Sequence, residues 1–200
     1  MEISGKGLAC ERGGRLVFTG LGFSATGGRM LVLRGPNGAG KTSLLRLIAG
    51  LAEPAAGGLS FTGAGEDGEI APHVHFVAHQ DAIKLHLTVE ENLVFWAGFL
   101  GGGNIETALD ALNLRALRAF HAQRLSAGQK RRLGLARLAL APRPVWLLDE
   151  PTVGLDTHSQ GLLAKLMTTH LEAGNIIIAS THIDLPVPST DVLDFAGIGT

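Results

Sequence analysis

Apolar residues recur along the chain with two spacings, which predict helices and buried strands in alternation. Residues 43–51 carry apolar side chains at helical spacing and are stopped near Gly50. Residues 145–148 and 176–179 are uninterrupted apolar runs, as expected of buried parallel strands. Residues 1–34 carry short apolar runs broken by glycines, which suits short strands and turns. This alternation predicts an α/β domain.

Four further helices are predicted, two of which begin with a capping box. In a capping box a hydroxyl residue precedes Glu or Gln by three positions, as at Thr88 and Ser126. Residues 53–72 are rich in Gly, Ala and Pro and predict loops with at most a short strand, whereas residues 75–78 predict a strand. The predicted helices run from residue 88 to the glycines at 101–103, from 105 to about 117, from 126 to about 141, and from 157 to 173.

The helices between about Asp81 and Pro142 interrupt the alternating pattern. We therefore expect one domain in two parts, consistent with a length of 200 residues. The first part is a catalytic core of residues 1–80 and 143–200. The second is a mostly helical insert of residues 81–142.

The segment GPNGAGKT, residues 35–42, matches the phosphate loop G-x-x-x-x-G-K-[ST] at every fixed position. Its glycines let backbone N–H groups face a triphosphate, Lys41 reaches the β- and γ-phosphates, and the Thr42 hydroxyl can ligate Mg²⁺. A predicted strand before it and a helix after it distinguish the loop from an ordinary glycine-rich turn. The predicted nucleotide contacts are Gly35, Pro36, Asn37, Gly38, Ala39, Gly40, Lys41, Thr42 and Ser43.

Polar residues follow three of the predicted strands, where ligands gather in open α/β sheets. Asp149 is placed to hold Mg²⁺ through water, and Glu150 to polarise the attacking water as general base. Gln80 can contact both Mg²⁺ and that water, and His182 can hydrogen-bond the γ-phosphate or the base. Alone, such residues are more often surface turns or structural histidines. With a phosphate loop upstream, we interpret Glu150, His182 and Gln80 as catalytic, and Thr42, Gln80 and Asp149 as metal ligands.

The segment LSAGQ, residues 125–129, puts a glycine in the first turn of a helix, where glycine lowers stability. The order of phosphate loop, Gln80, LSAGQ, Asp149–Glu150, Asp156 and His182 resembles that of ABC nucleotide-binding domains, from residue 2 to about 184. The resemblance implies an α/β P-loop NTPase fold with a RecA-like core, an N-terminal antiparallel β subdomain and a helical subdomain.

In ABC proteins two such domains face each other head to tail, and each ATP lies between the phosphate loop of one and the signature motif of the other. By resemblance, the signature residues of this chain bind the nucleotide of a second copy, as a helix N-terminus can bind an anion. Alanine replaces the usual glycine at the third position but keeps its N–H. The residues concerned are Ser126, Ala127, Gly128 and Gln129.

Within the superfamily, VAHQDAIKLHLTVEENLVFWAGFL, LSAGQKRRLGLARL and CERGGRLVF resemble the ATP-binding subunit of the haem exporter of cytochrome c maturation, as does a chain that stops soon after His182. That resemblance implies an ATP hydrolase that powers haem export or release of a haem-loaded chaperone. Its cofactors are ATP and Mg²⁺, and its partners are a second copy of itself and integral-membrane transporter subunits. It lies peripherally on the cytoplasmic face of the bacterial inner membrane. The alternatives are the ATPase of another ABC exporter and a soluble ABC ATPase outside transport.

The composition excludes several further classes of protein. Seventeen basic and eighteen acidic residues give a net charge of −1, which lacks the basic excess of nucleic-acid binders, so we expect no nucleic-acid partner. Cys10 is the single cysteine, which excludes an intramolecular disulfide and favours a reducing cytosol. The N-terminus MEISGKGLAC lacks the apolar segment of a signal peptide. The most apolar stretch, residues 93–103, is short of the roughly 20 residues that a membrane helix needs.

The adenine contact departs from the ABC pattern. ABC domains usually stack the base on an aromatic residue upstream of the phosphate loop, often tyrosine, and this chain has no tyrosine. The matching region reads Glu11-Arg12-Gly13-Gly14, so we expect the planar guanidinium of Arg12 to stack on the base. Phe18 is the other candidate, but its apolar neighbours favour a core position.

Three groups outside the motifs have two interpretations each. Alternating histidines before Gln80 are interpreted as polar residues of an exposed strand face rather than a metal or haem site. Arginines of the signature helix are interpreted as solvated or phosphate-facing rather than RNA-binding. Aromatic residues of the insert are either core or a docking groove for the membrane partner. The groups are His73, His75 and His79; Arg131, Arg132 and Arg137; and Phe95, Trp96 and Phe99.

Overall fold

The computed structural model describes residues 1–63, 70–182, 187 and 190–196, and these residues form two sheets flanked by helices. The end of the family resemblance, near residue 184, lies outside the described residues. The strands are β1 Glu2–Arg12, β2 Arg15–Thr26, β3 Met30–Arg34, β4 Ala56–Thr62, β5 Val74–Val77, β6 Val145–Asp149, β7 Ile176–Ser180 and β8 Thr190–Asp194. The helices are α1 Lys41–Ile48, α2 Val89–Leu100, α3 Ile105–Ala111, α4 Ala127–Leu140 and α5 Thr157–Glu172.

The smaller sheet is antiparallel, with strand order β2-β1-β4. A two-residue turn joins β1 to β2, and both of its residues, Gly13 and Gly14, have positive φ angles of 58° and 76°. Tight hairpins need such angles at both turn positions, which glycine adopts without strain. The alanine- and glycine-rich segment after residue 53 forms β4, so it supplies the third strand of this sheet rather than loops alone.

The larger sheet is parallel, with strand order β5-β6-β7-β3-β8. Strands β6 and β7 are buried along their whole length, as their uninterrupted apolar sequences predict. Strand β7 lies between β6 and β3 and is parallel to both, so the carboxyl ends of these three strands meet at one edge of the sheet. That edge carries the phosphate loop after β3 and the Asp149–Glu150 pair at the end of β6.

Two hydrophobic clusters cover the two faces of the parallel sheet. Side chains alternate along β6, so that Trp146 and Leu148 pack with helices α2 to α5 while Val145 and Leu147 pack with α1 and the antiparallel sheet. The predicted core position of Phe18 is confirmed, since its side chain is fully buried in the second cluster. Helices α2, α3 and α4 also pack against one another.

Both predicted capping boxes are present. At each N-cap the hydroxyl accepts a hydrogen bond from the third helical N–H, and the Glu or Gln side chain accepts one from the N-cap N–H, for Thr88 with Glu91 and Ser126 with Gln129. The prediction of one helix over 105–117 is wrong. α3 ends at Ala111 because Asn113 has a φ of 50°, in the left-handed region, and a short 3₁₀ turn, Arg115–Leu117, follows.

The interpretation of the alternating histidines as an exposed strand face is wrong. His75 lies on β5 and is 3% exposed, and its ring nitrogen Nε2 lies 2.8 Å from the carbonyl oxygen of Ala141. His73 ends a 3₁₀ turn before the strand, and His79 follows the strand. Among the described residues no group of three or more His, Cys, Asp or Glu side chains could hold a metal ion. A parallel strand buried on both faces has no exposed face for His75 to occupy.

The interpretation of the arginines as solvated or phosphate-facing is also wrong for two of the three. Arg131 is 4% exposed and Arg137 is 7% exposed. Arg137 donates to the carbonyl oxygen of Phe76, and its guanidinium lies 4.8 Å from the centre of the Trp96 ring. Burial lowers the pKa of Arg137 to about 10, so it remains charged at neutral pH.

The aromatic residues of α2 lie mainly outside the core. Phe95 and Phe99 are 42% and 72% exposed, whereas Trp96 is half-buried and packs against the first hydrophobic cluster. The Trp96 ring meets the Phe99 ring edge-on at 5.5 Å between centroids. The core interpretation is therefore wrong for Phe95 and Phe99. Within the described part of the chain, no helix combines the length and apolar character needed to span a bilayer.

Two buried histidines should make the fold sensitive to mild acid. Burial lowers the pKa of His75 and of His170 from 6.5 to about 4, and the His170 ring stacks on Trp146 at 3.7 Å between centroids. Between pH 6.5 and 4 the unfolded chain then binds more protons than the folded chain. The free energy of unfolding therefore falls as the pH drops through this window, by about 2 kcal/mol per histidine at pH 5.

Urea unfolding followed by circular dichroism at pH 7.5, 6 and 5 measures this loss. His170→Phe keeps a ring on Trp146 but removes one titrating group, so its stability should fall less steeply with pH than that of the wild type. Equal slopes for the two proteins would contradict the assignment of His170.

Candidate active site

A cavity of about 430 Å³ lies at the carboxyl edge of the parallel sheet. It is partly open to solvent. The described residues that line it are Arg12, Val17, Asn37, Gly38, Gly40, Lys41, Thr42, Ser43, His79, Asp149, Glu150 and Ser180. The cavity therefore joins the phosphate loop to the Asp149–Glu150 pair, as the sequence predicts.

The phosphate loop passes from β3 into α1, and its close packing needs glycine at two positions. Gly35 has a φ of 137° and Gly40 a φ of 104°, both in the region that favours glycine. A Cβ at Gly40 would lie 2.7 Å from the ring of Phe18, and one at Gly35 would lie 2.8 Å from the Cβ of Phe195. The apolar core beneath the loop thus fixes its path.

Lys41 is the first residue of α1 and is 8% exposed. Its ammonium Nζ donates to the carbonyl oxygens of Gly35 at 2.7 Å and Pro36 at 3.0 Å, so that the loop curls around its own lysine. These carbonyl contacts hold the positive charge at the mouth of the loop, beside the N-terminus of α1. A phosphate group placed there would meet both the ammonium and the helix N–H groups.

Asp149 is buried at the end of β6, and both of its carboxylate oxygens accept hydrogen bonds from hydroxyl groups. Thr42 Oγ1 donates to Oδ2 at 2.8 Å and Ser180 Oγ donates to Oδ1 at 2.6 Å. Two hydroxyl donors stabilise the charged carboxylate and fix its orientation towards the phosphate loop. Ser180 was not predicted. Its position at the end of the strand next to β6 is the signal that could have identified it.

Glu150 has a left-handed backbone conformation, with a φ of 48°. Such a conformation costs about 1–2 kcal/mol for a residue other than glycine. It is held by the backbone N–H of Glu150, which points at the Ser180 carbonyl oxygen at 3.0 Å and at Ser180 Oγ at 3.2 Å. Strain of this kind is found at functional sites. The turn aims the Glu150 side chain into the cavity instead of continuing the strand.

His182 reaches Glu150 from the end of β7. Its Nε2 lies 3.3 Å from Oε1 of Glu150 and 3.2 Å from Oδ1 of Asn37. His182 therefore lies between the predicted base and the phosphate loop. The contact with Asn37 was not predicted. It gives Asn37, whose side chain has no fixed part in the loop pattern, a place in the site.

Gln80 and Arg12 occupy different positions relative to the cavity. Arg12 lines the cavity from the end of β1. Gln80 is exposed and follows His79, and it is His79 that contributes to the cavity wall. The adenine contact of Arg12 and the roles of Gln80 stay predictions.

The oxygen ligands of the site suit Mg²⁺. The Thr42 hydroxyl and the Asp149 carboxylate are adjacent, and Mg²⁺ prefers such oxygens together with water and substrate phosphates over a cage of protein ligands. Thr42 and Asp149 are the residues that would hold the ion, and Gln80 stands at the next strand end. A site of this type does not need several acidic protein ligands around the ion.

The signature residues face away from their own cavity. Ser126 and Ala127 are exposed at the start of α4, and no residue of the motif contributes to the described cavity wall. Gly128 also packs closely within its own chain, since a Cβ there would lie 3.0 Å from the carbonyl oxygen of Gly154. The start of α4, where the capping box leaves the N–H groups of Ala127 and Gly128 for other acceptors, thus lies outside the described wall of the cavity.

Comparisons with known proteins agree with this geometry. A family model described as ABC transporter matches residues 18–153. The cytochrome c biogenesis ATP-binding export protein CcmA of Rhodopseudomonas palustris (strain BisB5) is 51% identical over 194 residues, which cover 96% of this chain and 97% of that protein. Proteins of the same name are 49% identical in Nitrobacter winogradskyi and 46% identical in Bradyrhizobium diazoefficiens, with the same coverage.

Solved structures share the fold. The ATP-binding subunit of an ABC transporter superposes with a TM-score of 0.84 and 25% identity, covering 100% of this chain and 90% of that chain. A dimeric ATP-binding cassette in a post-hydrolysis state, bound to ADP and Pi, has a TM-score of 0.76 and 23% identity over 90% of this chain and 88% of that chain. The predicted α/β nucleotide-binding fold is confirmed.

Proposed function

Because this chain belongs to the ABC transporter family, and within it to the cytochrome c biogenesis ATP-binding export proteins, we propose that it is the ATP-hydrolysing motor of a membrane export complex in c-type cytochrome biogenesis. Its transport work is haem export or the release of a haem-loaded chaperone. The observation that carries the proposal is the single cavity in which a phosphate loop, a buried carboxylate and a strained glutamate converge.

ATP binding follows from the residues of the phosphate loop. The triphosphate replaces the Gly35 and Pro36 carbonyl oxygens as the partner of the Lys41 ammonium, and the N-terminus of α1 adds further N–H donors. The Arg12 guanidinium, which also lines the cavity, stacks on the adenine base. When Mg²⁺ is bound beside Thr42, Asp149 and Gln80, it neutralises negative charge on the phosphates.

Hydrolysis uses Glu150 as general base. The left-handed turn holds its carboxylate in the cavity, where it accepts a proton from the attacking water. His182, 3.3 Å away, orients that carboxylate and is positioned between it and Asn37 of the phosphate loop. Asp149 is held by its two hydroxyl donors and faces the metal position.

A second copy of the chain completes the site. The exposed start of α4, with Ser126, Ala127, Gly128 and Gln129, can meet an anion outside its own cavity with the N–H groups of Ala127 and Gly128 and the Ser126 hydroxyl. We propose that this helix start binds the γ-phosphate of ATP held by the partner's phosphate loop, in a head-to-tail dimer. One solved structure of the same fold, an ATP-binding cassette bound to ADP and Pi, is dimeric.

Membrane partners contact the helical part of the chain. Phe95 and Phe99 expose their rings on α2, directly after the segment that follows Gln80. An exposed aromatic pair is suited to a protein interface. We propose that integral-membrane subunits dock there, which places the chain peripherally on the cytoplasmic face of the bacterial inner membrane.

The division of the chain follows the same roles. We propose a catalytic core of residues 1–80 and 143–200, which carries the cavity, and a mostly helical part of residues 81–142, which carries the signature motif and the aromatic pair. One hydrophobic cluster joins residues of both parts, which would let movement of the helices reach the sheet.

Complementation in cells tests the proposed function. In a bacterium deleted for its own cytochrome c biogenesis ATP-binding export protein, the wild-type chain should restore c-type cytochromes, measured by haem staining of membrane fractions. A Lys41→Ala chain, expressed to the same level, should not. A wild-type chain that hydrolyses ATP and reaches the membrane without restoring cytochromes would instead favour the ATPase of another exporter.

A further inference from the structure

Arg131 lies in the second turn of α4, one turn after the signature motif, yet it is 4% exposed. Its guanidinium is inserted between two loops, one that follows β5 and one that follows β6. These are the loops that carry Gln80 and Glu150. The sequence pattern of the signature motif does not include this residue.

On one side the guanidinium holds the loop after β5. Nη1 donates to Oδ1 of Asp81 at 2.8 Å and to the carbonyl oxygens of Ala78 at 3.1 Å and His79 at 3.4 Å. These partners surround Gln80 on both sides in sequence. Gly134, one turn further along α4, makes room for this pair, since a Cβ there would lie 2.8 Å from Oδ1 of Asp81.

On the other side the same guanidinium holds the strained turn. Nη2 donates to the carbonyl oxygen of Glu150 at 2.8 Å and to that of Asp149 at 3.3 Å, and Nε donates to that of Pro151 at 3.3 Å. The carbonyl group of Glu150 is thereby fixed by Arg131, while the N–H group of Glu150 is fixed by Ser180. Both groups hold a residue with a φ of 48°.

Only arginine can make this set of contacts. Its guanidinium presents five N–H donors in a rigid plane, whereas the ammonium of lysine presents three from one point. Six acceptors in two loops surround the group, and one of them is a carboxylate that offsets its buried charge. A residue needed only to fill the space would not need donors directed to both loops.

We propose that Arg131 is a positioning residue that couples the Gln80 loop and the signature helix to the orientation of Glu150. The proposal rests on the proposed function in one respect, the role of Glu150 as general base. Displacement of α4 by a partner's nucleotide, or of the Gln80 loop by a membrane partner, is passed by this one side chain to the peptide of Glu150. ATP is then hydrolysed efficiently only when the signature helix, the Gln80 loop and the turn at Glu150 are correctly placed relative to one another.

Steady-state kinetics of Arg131→Lys test this inference, with Arg132→Lys as the matched control. Arg132 is the next residue of α4 and also donates to carbonyl oxygens, those of Leu112 and Asn113, but these lie outside the two loops. We expect kcat for ATP hydrolysis to fall about 10- to 100-fold in Arg131→Lys, as for a displaced catalytic group. The KM for ATP should change less than about threefold, because the phosphate loop is untouched. Asp81→Asn should show a smaller loss of the same kind.

Combination with Glu150→Gln separates positioning from general damage. If Arg131 acts through Glu150, then adding Arg131→Lys to Glu150→Gln should lower the residual rate no further. A further fall in the double variant, or equal kcat values in Arg131→Lys and Arg132→Lys, would overturn the inference. Circular dichroism and binding of a fluorescent ATP analogue establish that each variant is folded. A Glu150→Gln chain with the wild-type rate would instead refute the role of Glu150 as general base, the one part of the proposed function on which the inference rests.

Discussion

Replacing Glu150 with glutamine is expected to slow ATP hydrolysis by about 10²- to 10⁴-fold, the loss that follows removal of a general base. Glutamine has the same shape and can keep the contact with His182, whose Nε2 lies 3.3 Å from Oε1 of Glu150. It cannot accept the proton of the attacking water. The groups that bind the triphosphate, with Lys41 foremost, are unchanged. ATP affinity should therefore remain within a few-fold of the wild-type value, which corresponds to a change of about 1 kcal/mol in the free energy of binding.

The measurement is release of inorganic phosphate under steady-state conditions, together with binding of a fluorescent ATP analogue. Glu172→Gln is the matched control, since Glu172 is exposed at the end of α5 and outside the cavity. It should hydrolyse ATP at the wild-type rate. If Glu150→Gln also hydrolyses normally, the base lies elsewhere, and His182 is the next candidate.

Slow hydrolysis should also hold two chains together. ATP that is bound but not cleaved keeps both of its contacts, one to each chain, so that the Glu150→Gln protein should be dimeric with ATP and monomeric without it. Light scattering of the purified protein measures both states. The Glu172→Gln control should show dimers only while ATP lasts.

The sequence predicted most of the site because its signals are local. The phosphate loop, the two capping boxes and the strand that ends at Asp149 are each specified by residues next to one another in the chain, and the structure contains all of them. Their convergence follows from one rule of open α/β sheets, that the carboxyl ends of parallel strands meet at one edge. Ser180 obeys the same rule and could have been found by it.

The errors lie where distant residues decide the outcome. Arg131 is basic on a helix and reads as solvated, but its partners come from segments about 20 and 50 positions away in the chain, which no local pattern contains. His75 alternates with apolar residues as an exposed position would, but both faces of its strand, at the edge of the sheet, are covered by the hydrophobic clusters. The left-handed φ of Glu150 depends on Ser180, 30 residues later, and has no sequence signal of its own.

Mixing two inactive variants should restore ATPase activity if each site is shared between two chains. Lys41→Ala removes the ammonium that binds the β- and γ-phosphates, so each site formed by such chains lacks its principal cation. Ala127→Glu changes the other half of a site. Ala127 is exposed as the first residue of α4, and a glutamate there is favourable within its own chain because it faces a helix N-terminus that has no acidic residue.

Across the dimer the same glutamate is unfavourable, because it meets the γ-phosphate held by the partner. This choice avoids Gly128, where any side chain would already press on the Gly154 carbonyl oxygen within the chain. Ala127→Gln has nearly the same size without the charge and serves as the control. It should keep far more activity than Ala127→Glu, and all three variants should unfold as cooperatively as the wild type.

Each variant alone should be inactive, since both sites of its dimer carry one damaged half. A mixed dimer has one site with both halves damaged and one site with neither. The most direct measurement is the ATPase rate of a one-to-one mixture of Lys41→Ala and Ala127→Glu chains, compared with each variant alone. We expect about a quarter of the wild-type rate if the two sites act independently, since half of the randomly formed dimers are mixed. An Ala127→Glu chain that hydrolyses ATP at the wild-type rate on its own, with no gain on mixing, would contradict a site shared between two chains.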